Sequence, residues 1–313
     1  MKKVLFITAL AFTMIACGNK KGQDKDGTAT GSITVDGSST VYPVTEAVAE
    51  EFRAVKPGIN VTIGVSGTGG GFQKFGRGET NISNASRPIK DEEAAYAKEN
   101  NIDFVGLEVA LDGLAVVINP ENDWVKSFTV EELKMIWEPA AQGKIMRWNQ
   151  INPAWPDEEI HLYGPGVASG TFDYFTEVIV GKSGSSRGDF TASEDDNVLV
   201  QGVAGDKFGL GFFGLAYFEE NQDKLSLAAV DGGNGPVIPT KETVNDGTYS
   251  PLSRPLYIYV NSSSVRNPEV VEFVRYYLEN AGELSTDVGY FPLTAEEYKA
   301  ELKKFNDFVE NNQ

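Results

Sequence analysis

The stretch GSITVDGSSTVYPVTEAVAEEFRAV, residues 31–55, contains a predicted strand, a glycine turn and a predicted helix within one short unit. The strand covers Ile33 to Val35, and the helix VTEAVAEEFRAV (44–55) carries apolar residues at helical spacing. The same alternation continues along the chain, with strands predicted at 59–67, 81–86, 159–164, 208–218 and 254–260, and helices starting at Gly71 and residues 92, 130, 169, 268 and 294. This order predicts an α/β fold with a mostly parallel sheet.

Two long extended runs, near Leu111–Val117 and Leu252–Val260, are long enough to carry the chain between two domains. We therefore expect a discontinuous domain I from residues 32–111 and 254–313, and a domain II from residues 112–253. A ligand cleft would then lie between the domains, and the two extended runs would act as hinge strands.

The N-terminus has the pattern of a lipoprotein signal. MKKVLFITALAFTMIA (1–16) combines two lysines with an apolar stretch and a small last residue, which predicts a signal peptide. Cys17, the one cysteine of the sequence, follows directly and resembles the lipidated residue of a bacterial lipobox. Residues 17–31 then give a lipid anchor and a flexible polar leash. The alternative is an ordinary secreted protein with a chance cysteine. We expect anchoring on the extracytoplasmic side, in the periplasm or at the cell surface.

The charge of the chain excludes some partner classes. The formal net charge of −18 becomes −20 once Lys2 and Lys3 leave with the signal peptide. Nucleic acids and anionic membrane surfaces select basic patches, so neither is an expected partner. Binding of a small anion is still compatible with this charge. Hydrogen-bond donors in contact with the anion contribute more to its binding energy than distant surface charge, which is screened beyond roughly 8–10 Å.

Four short loops rich in small residues follow predicted strands and precede helices: DGSSTVYP (36–43), VSGTGGGF (65–72), NASRP (84–88) and VASGTF (167–172). Each by itself is explained as a helix N-cap or a turn. Together they indicate anion binding. Ligands of open α/β sheets bind at the carboxyl ends of the strands, and an oxyanion there can accept hydrogen bonds from free N–H groups and hydroxyls and is attracted by the helix dipoles. Arg87 is the basic residue of these loops and has bidentate geometry for an oxyanion.

The sequence lacks the residues that a dinucleotide site, a hydrolase or a zinc site would need. Gly209, Gly211 and Gly214 match a dinucleotide motif by letter, but FGLGFFGLAYF (208–218) is predicted as one apolar strand without the required turn. His161 is the single histidine, which disfavours a Ser-His-Asp hydrolase, and one cysteine with one histidine disfavours a zinc site. We therefore expect no metal, no cofactor and no enzymatic activity.

At these loops the chain resembles the PstS-type phosphate-binding lipoproteins of bacterial phosphate ABC transporters. The matching stretches, in order, are DGSSTVYP, SGTGGG, SRPI, SGTFDYF, FGLGFFGLAYF and RPLYIYV. The resemblance implies a two-domain periplasmic-binding-protein architecture that closes on inorganic phosphate and delivers it to permease subunits. It implies a monomeric receptor without a cofactor.

The resemblance also implies a set of phosphate-binding residues: Ser39, Thr40, Ser66, Thr68, Gly69, Ser86, Arg87, Ser169, Gly170, Thr171 and Asp173. Two positions depart from the family pattern. Pro165 stands where many members carry an arginine, and Ser86-Arg87 stands where many carry an aspartate. We therefore predict Arg87 as the cation and Asp173 as the acceptor of the phosphate proton, with Asp36 and Asp112 as further candidates.

Two other functions stay open at this point. One is a receptor for another oxyanion, such as sulfate, molybdate or phosphonate, which would not need a carboxylate in the site. The other is a secreted phosphatase or adhesin on the same scaffold.

Overall fold

The computed structural model describes residues 31–167, 169–193 and 195–313, so the predicted signal peptide, Cys17 and most of the leash lie outside the described residues. The strands are β1 Gly31–Gly37, β2 Ile59–Val65, β3 Ile82–Ala85, β4 Phe104–Ile118, β5 Ser127–Thr129, β6 His161–Pro165, β7 Thr191–Ser193, β8 Gly209–Gly214, β9 Ser226–Leu227, β10 Ala229–Asp231, β11 Pro236–Val237 and β12 Ser253–Asn261. The helices are α1 Tyr42–Val55, α2 Gly67–Gly76, α3 Asp91–Glu99, α4 Val130–Trp137, α5 Trp148–Ile151, α6 Gly170–Phe175, α7 Asp196–Ala204, α8 Leu215–Glu219, α9 Lys241–Asn245, α10 Pro268–Asp287 and α11 Ala295–Asn312. A π-helical turn, Thr176–Val180, continues α6.

The main sheet has the order β2-β1-β3-β12-β4-β8-β6-β7, with β9 beside β4, and β11, β10 and β5 form a separate three-stranded sheet. Strands β1, β2 and β3 are parallel at one end, and β6, β7 and β8 are parallel at the other. In the middle, β12 is antiparallel to β3 and β4, and β4 is antiparallel to β8. The predicted α/β class is confirmed, but the prediction of a mostly parallel sheet is wrong at its centre, because β4 and β12 cross it in opposite directions.

Strands β4 and β12 join the two ends of the sheet. The first part of β4, Phe104–Gly113, pairs with β12, and its last part, Leu114–Ile118, pairs with β8. One apolar core lies beside the first part and includes Phe52 and Phe273, whereas the other lies beside the last part and includes Trp137. The sequence predicted both crossing runs as hinge strands; the division into two domains stays a prediction.

The apolar run 208–218 differs from the predicted single strand. It forms strand β8 only as far as Gly214, and helix α8 begins at Leu215. Gly209 and Gly211 lie inside β8 and not in a turn, so the dinucleotide motif lacks its glycine loop. Helix α2 begins at Gly67, four residues before the predicted start. Among the described residues, no helix is both long and apolar enough to span a membrane.

Candidate functional site

Two helix N-termini meet at the edge of the sheet where the parallel strands β1, β2 and β3 end. The first bond of α1 runs from the N–H of Tyr42 to the carbonyl of Ser38 at 3.1 Å, so the N–H groups just before it belong to the unpaired first turn. Helix α2 begins at Gly67, one residue after β2 ends. Unpaired N–H groups and the positive ends of both helix dipoles therefore point to the same edge, which favours an anion there.

A cavity of about 270 Å³ lies at this edge, between the loops and the π-helical turn. Its lining residues come from both sides of the crossing strands: Ser38, Ser39, Thr40, Gly67, Thr68, Gly69, Ser86, Arg87, Lys90, Asp173, Tyr174, Glu177, Ser183 and Arg254. We call it the loop cavity. The side chain of Thr68 is within 3.1 Å of the Ser86 hydroxyl and accepts the N–H of Ser86 at 3.2 Å, which joins the second and third loops.

Arg254, from the start of β12, places a mostly buried guanidinium at the loop cavity. Its Nη2 donates to the Thr40 hydroxyl at 2.9 Å and its Nη1 donates to the carbonyl of Ser86 at 3.3 Å. Its side chain is only 11% exposed, and its Nε lies 3.4 Å from the carboxylate of Asp112. One cation therefore contacts the first and third loops at the same time.

Arg254 is not among the predicted site residues, although it opens the stretch RPLYIYV (254–260), which lies within the predicted hinge run Leu252–Val260. A detectable signal was present, because an arginine opens a strand that is otherwise apolar. The contacts could not be predicted, since Arg254 and Thr40 lie 214 residues apart in the chain.

Arg87, the predicted cation, also lines the loop cavity but already has a carboxylate partner. Its guanidinium donates to both oxygens of Glu93, each at 2.8 Å. Burial alone would raise the pKa of Glu93, but the bonds from Arg87 hold this pKa below its ordinary value. The charge of Arg87 is therefore shared with a carboxylate of helix α3.

The chain is similar to several known proteins. Residues 22–281 match a family model described as a PBP superfamily domain. Protein SphX of Synechocystis is 52% identical over 276 residues, covering 88% of this chain and 82% of SphX. The phosphate-binding protein PstS of Staphylococcus saprophyticus is 39% identical over 308 residues, covering 96% of this chain and 93% of PstS.

The solved structure of "a possible phosphate binding protein" from Planctomyces limnophilus has a TM-score of 0.86 and 46% identity, and the match covers 89% of this chain and 99% of that one. The chain belongs to the PstS type of the PBP superfamily. Its two-domain fold class is thereby confirmed, and the PstS relative and the Planctomyces limnophilus protein carry names of binding proteins and not of enzymes.

In this PstS-type chain, ten of the eleven predicted residues line two cavities. Seven of them line the loop cavity: Ser39, Thr40, Thr68, Gly69, Ser86, Arg87 and Asp173. Ser169, Gly170 and Thr171 line a second cavity of about 360 Å³, which Ser39 also borders. Between the cavities, the Thr40 hydroxyl lies 3.4 Å from the carbonyl of Gly170, and a Cβ on Gly170 would come within 2.8 Å of the Thr40 nitrogen. Glycine allows this close approach of helix α6 to the loop before α1.

Ser169 has the capping role that its sequence context suggested. Its hydroxyl accepts the N–H of Thr171 at 3.2 Å at the start of α6. Ser66 is the predicted residue that lines neither cavity, because its hydroxyl donates to Asp36 at 2.5 Å.

The three candidate carboxylates have different surroundings. Burial alone would raise the pKa of Asp36, but hydrogen bonds from Lys74 and Ser66 hold it below its ordinary value, and Asp36 lines neither cavity. Burial raises the pKa of Asp112, whereas Arg254 opposes this rise. Asp173 is half-buried and lines the loop cavity, one turn before Glu177.

Metal binding has no support in the described part of the chain. No group of three or more histidine, cysteine, aspartate or glutamate side chains there is arranged to hold a metal ion.

Proposed function

We propose that this chain is a receptor for inorganic phosphate, which it binds in the loop cavity and delivers to the permease of an ABC transporter. The observation that carries the proposal is the mostly buried Arg254 guanidinium at a cavity bordered by two helix N-termini. Because a buried cation and unpaired N–H groups face the same space, a small tetrahedral oxyanion matches both. The PstS relative, whose name is phosphate-binding protein, and the possible phosphate binding protein from Planctomyces limnophilus support phosphate as that oxyanion.

Phosphate is favoured over sulfate by the carboxylate at the cavity. The Asp173 carboxylate accepts a hydrogen bond from the protonated oxygen of HPO₄²⁻, and fully ionised sulfate has no proton to donate. Sulfate would leave this acceptor unpaired and facing a like charge, which opposes its binding.

The cycle we propose is closure of two domains around the anion. Domain I (32–111 and 254–313) would supply the loops and Arg254, and domain II (112–253) would supply Asp173 and the start of α6. Phosphate contacts both domains and therefore stabilises the closed form. The protein would act as a monomer, held to the membrane by a lipid on Cys17, and would not turn over its ligand.

Isothermal titration of the purified protein with phosphate, arsenate, sulfate and molybdate tests the proposal. We expect heat of binding with phosphate and arsenate, and much weaker binding of sulfate and molybdate. Preferred binding of sulfate or molybdate would assign the cleft to another oxyanion. Release of phosphate from a chromogenic phosphate ester would contradict the absence of turnover.

A further inference from the structure

Asp112 is a buried carboxylate that lies behind the ligand cation. It stands opposite Arg254 in the register of β4 and β12, and its side chain is only 3% exposed. It borders the second cavity and not the loop cavity, whereas Arg254 borders the loop cavity. The pair therefore lies between the two cavities, with the carboxylate on the side away from the proposed phosphate.

Asp112 acts on Arg254 through its negative charge more than by fixing the orientation of the guanidinium. The contact between Nε and Oδ2 is long, at 3.4 Å. The guanidinium is also held by Thr40 at 2.9 Å and by the ring of Tyr174, whose centroid lies 3.4 Å from Cζ. Within the described part of the chain, Asp112 is the one carboxylate that forms an ion pair with Arg254.

We infer that Asp112 is the resident counter-ion of Arg254 and sets the anion affinity of the cleft by acting through that cation. Without a ligand, Arg254 is a mostly buried charge whose partial removal from water has to be offset by a partner, and Asp112 is that partner. When phosphate binds, Arg254 gains a second anionic partner, and Asp112 then repels the ligand across the guanidinium. Asp112 therefore stabilises the empty protein and weakens the complex. This inference rests on the proposed phosphate function.

The two effects of Asp112 separate it from a residue that merely supports the fold. In Asp112→Asn the counter-ion charge is lost while an oxygen that accepts a hydrogen bond is kept. The empty protein should unfold at a lower temperature, whereas the phosphate dissociation constant should fall about tenfold. Because sulfate is also a dianion, its dissociation constant should fall by a similar factor. Loss of a merely structural residue would lower both stability and affinity.

The experiment compares Asp112→Asn, Asp112→Glu and the parent protein by thermal unfolding without ligand and by titration with phosphate and sulfate. Asp112→Glu keeps the charge, and the second cavity gives room for its extra methylene, so its affinity should stay near that of the parent. Asp157→Asn is the matched control, since it removes one negative charge from an exposed pair with Arg147 and should change neither measurement.

An unchanged or weaker phosphate affinity in Asp112→Asn would overturn the inference. If this variant is unfolded without phosphate, its unfolding midpoint is followed in a phosphate series, where it should rise more steeply than that of the parent; a parallel rise would overturn the inference. Failure of the parent protein to bind phosphate would instead overturn the proposed function.

Discussion

Arg254 and Tyr174 join the two sides of the cleft through a cation and an aromatic ring. The guanidinium carbon of Arg254 lies 3.4 Å from the ring centroid of Tyr174. Tyr174 belongs to α6 and is buried, and its hydroxyl donates to the carbonyl of Pro251 at 2.5 Å, three residues before Arg254. The ring therefore contacts the side chain of Arg254 and also binds the backbone that leads into β12.

The first prediction follows from this contact. Tyr174→Leu removes the ring and should weaken phosphate binding about two- to thirtyfold, the range of a cation–π contact. Tyr174→Phe keeps the ring but loses the bond to Pro251, so it should keep its affinity and lose about 1 kcal/mol of unfolding free energy. Titration calorimetry and urea unfolding measure these effects. Equal affinity losses in both variants would show that the ring does not act on Arg254.

The second prediction compares the two arginines of the loop cavity. Arg254→Gln should weaken phosphate binding by at least ~2–4 kcal/mol, because a buried dianion loses a charged partner. Arg87→Ala should cost less, because Glu93 already shares the charge of Arg87. Titration of both variants with phosphate decides between them. A larger loss of phosphate affinity for Arg87→Ala than for Arg254→Gln would show that Arg87 is the main cation for phosphate, as the sequence predicts.

The third prediction concerns Asp173 as the acceptor of a hydrogen bond from the protonated oxygen of phosphate. Asp173→Asn should narrow the preference for phosphate over sulfate much more than it changes phosphate affinity, because the charge that repels sulfate is lost. Glu177→Gln, at the exposed rim of the same cavity, should have a smaller effect. Competition titrations give the ratio of the two affinities. An unchanged ratio in Asp173→Asn would remove this residue as the discriminator.

The fourth prediction concerns the anchor. Cys17→Ser should release the protein from the membrane, because the lipidated thiol is lost. Phosphate affinity should stay the same, since the leash separates Cys17 from the loops. Membrane fractionation and calorimetry test both statements, and a variant that stays with the membrane would contradict the lipobox prediction.

The fifth prediction concerns stability in acid. Arg187 is buried, with a side chain only 1% exposed, and donates to both oxygens of Asp189 at 2.5 and 2.9 Å. These bonds lower the pKa of Asp189 to about 2. Since the pKa is lower in the folded protein, the pair stabilises the fold fully above pH ~4 and loses this contribution as the pH falls toward 2.

Asp189→Asn should therefore lower the unfolding free energy by about 2 kcal/mol at pH 7, and by much less at pH 2. Urea unfolding across this pH range measures the difference. Asp157→Asn, in an exposed ion pair, should change it by less than ~1 kcal/mol at either pH. A loss for Asp189→Asn that does not depend on pH would contradict the ionic origin of this stability.

The local pattern of the sequence predicts the order of strands and helices and the loops where they meet. Periodicity, glycines and hydroxyls act over a few neighbouring residues, so the unit 31–55 contains its own strand, turn and helix. Six of the eleven predicted site residues, all in the loops after β1, β2 and β3, line one cavity for the same reason, since parallel strands bring their carboxyl ends to one edge.

Only the tertiary structure decides which charges meet at that edge. Arg254 and Asp112 lie 142 residues apart and become neighbours through the register of β4 and β12. A shift of one residue in that register would turn Arg254 to the other face of the sheet. Likewise, the contact of Thr40 with Gly170 places Ser169 and Thr171 at a second cavity. Such contacts depend on strand order and pairing over the whole chain, which local periodicity does not specify.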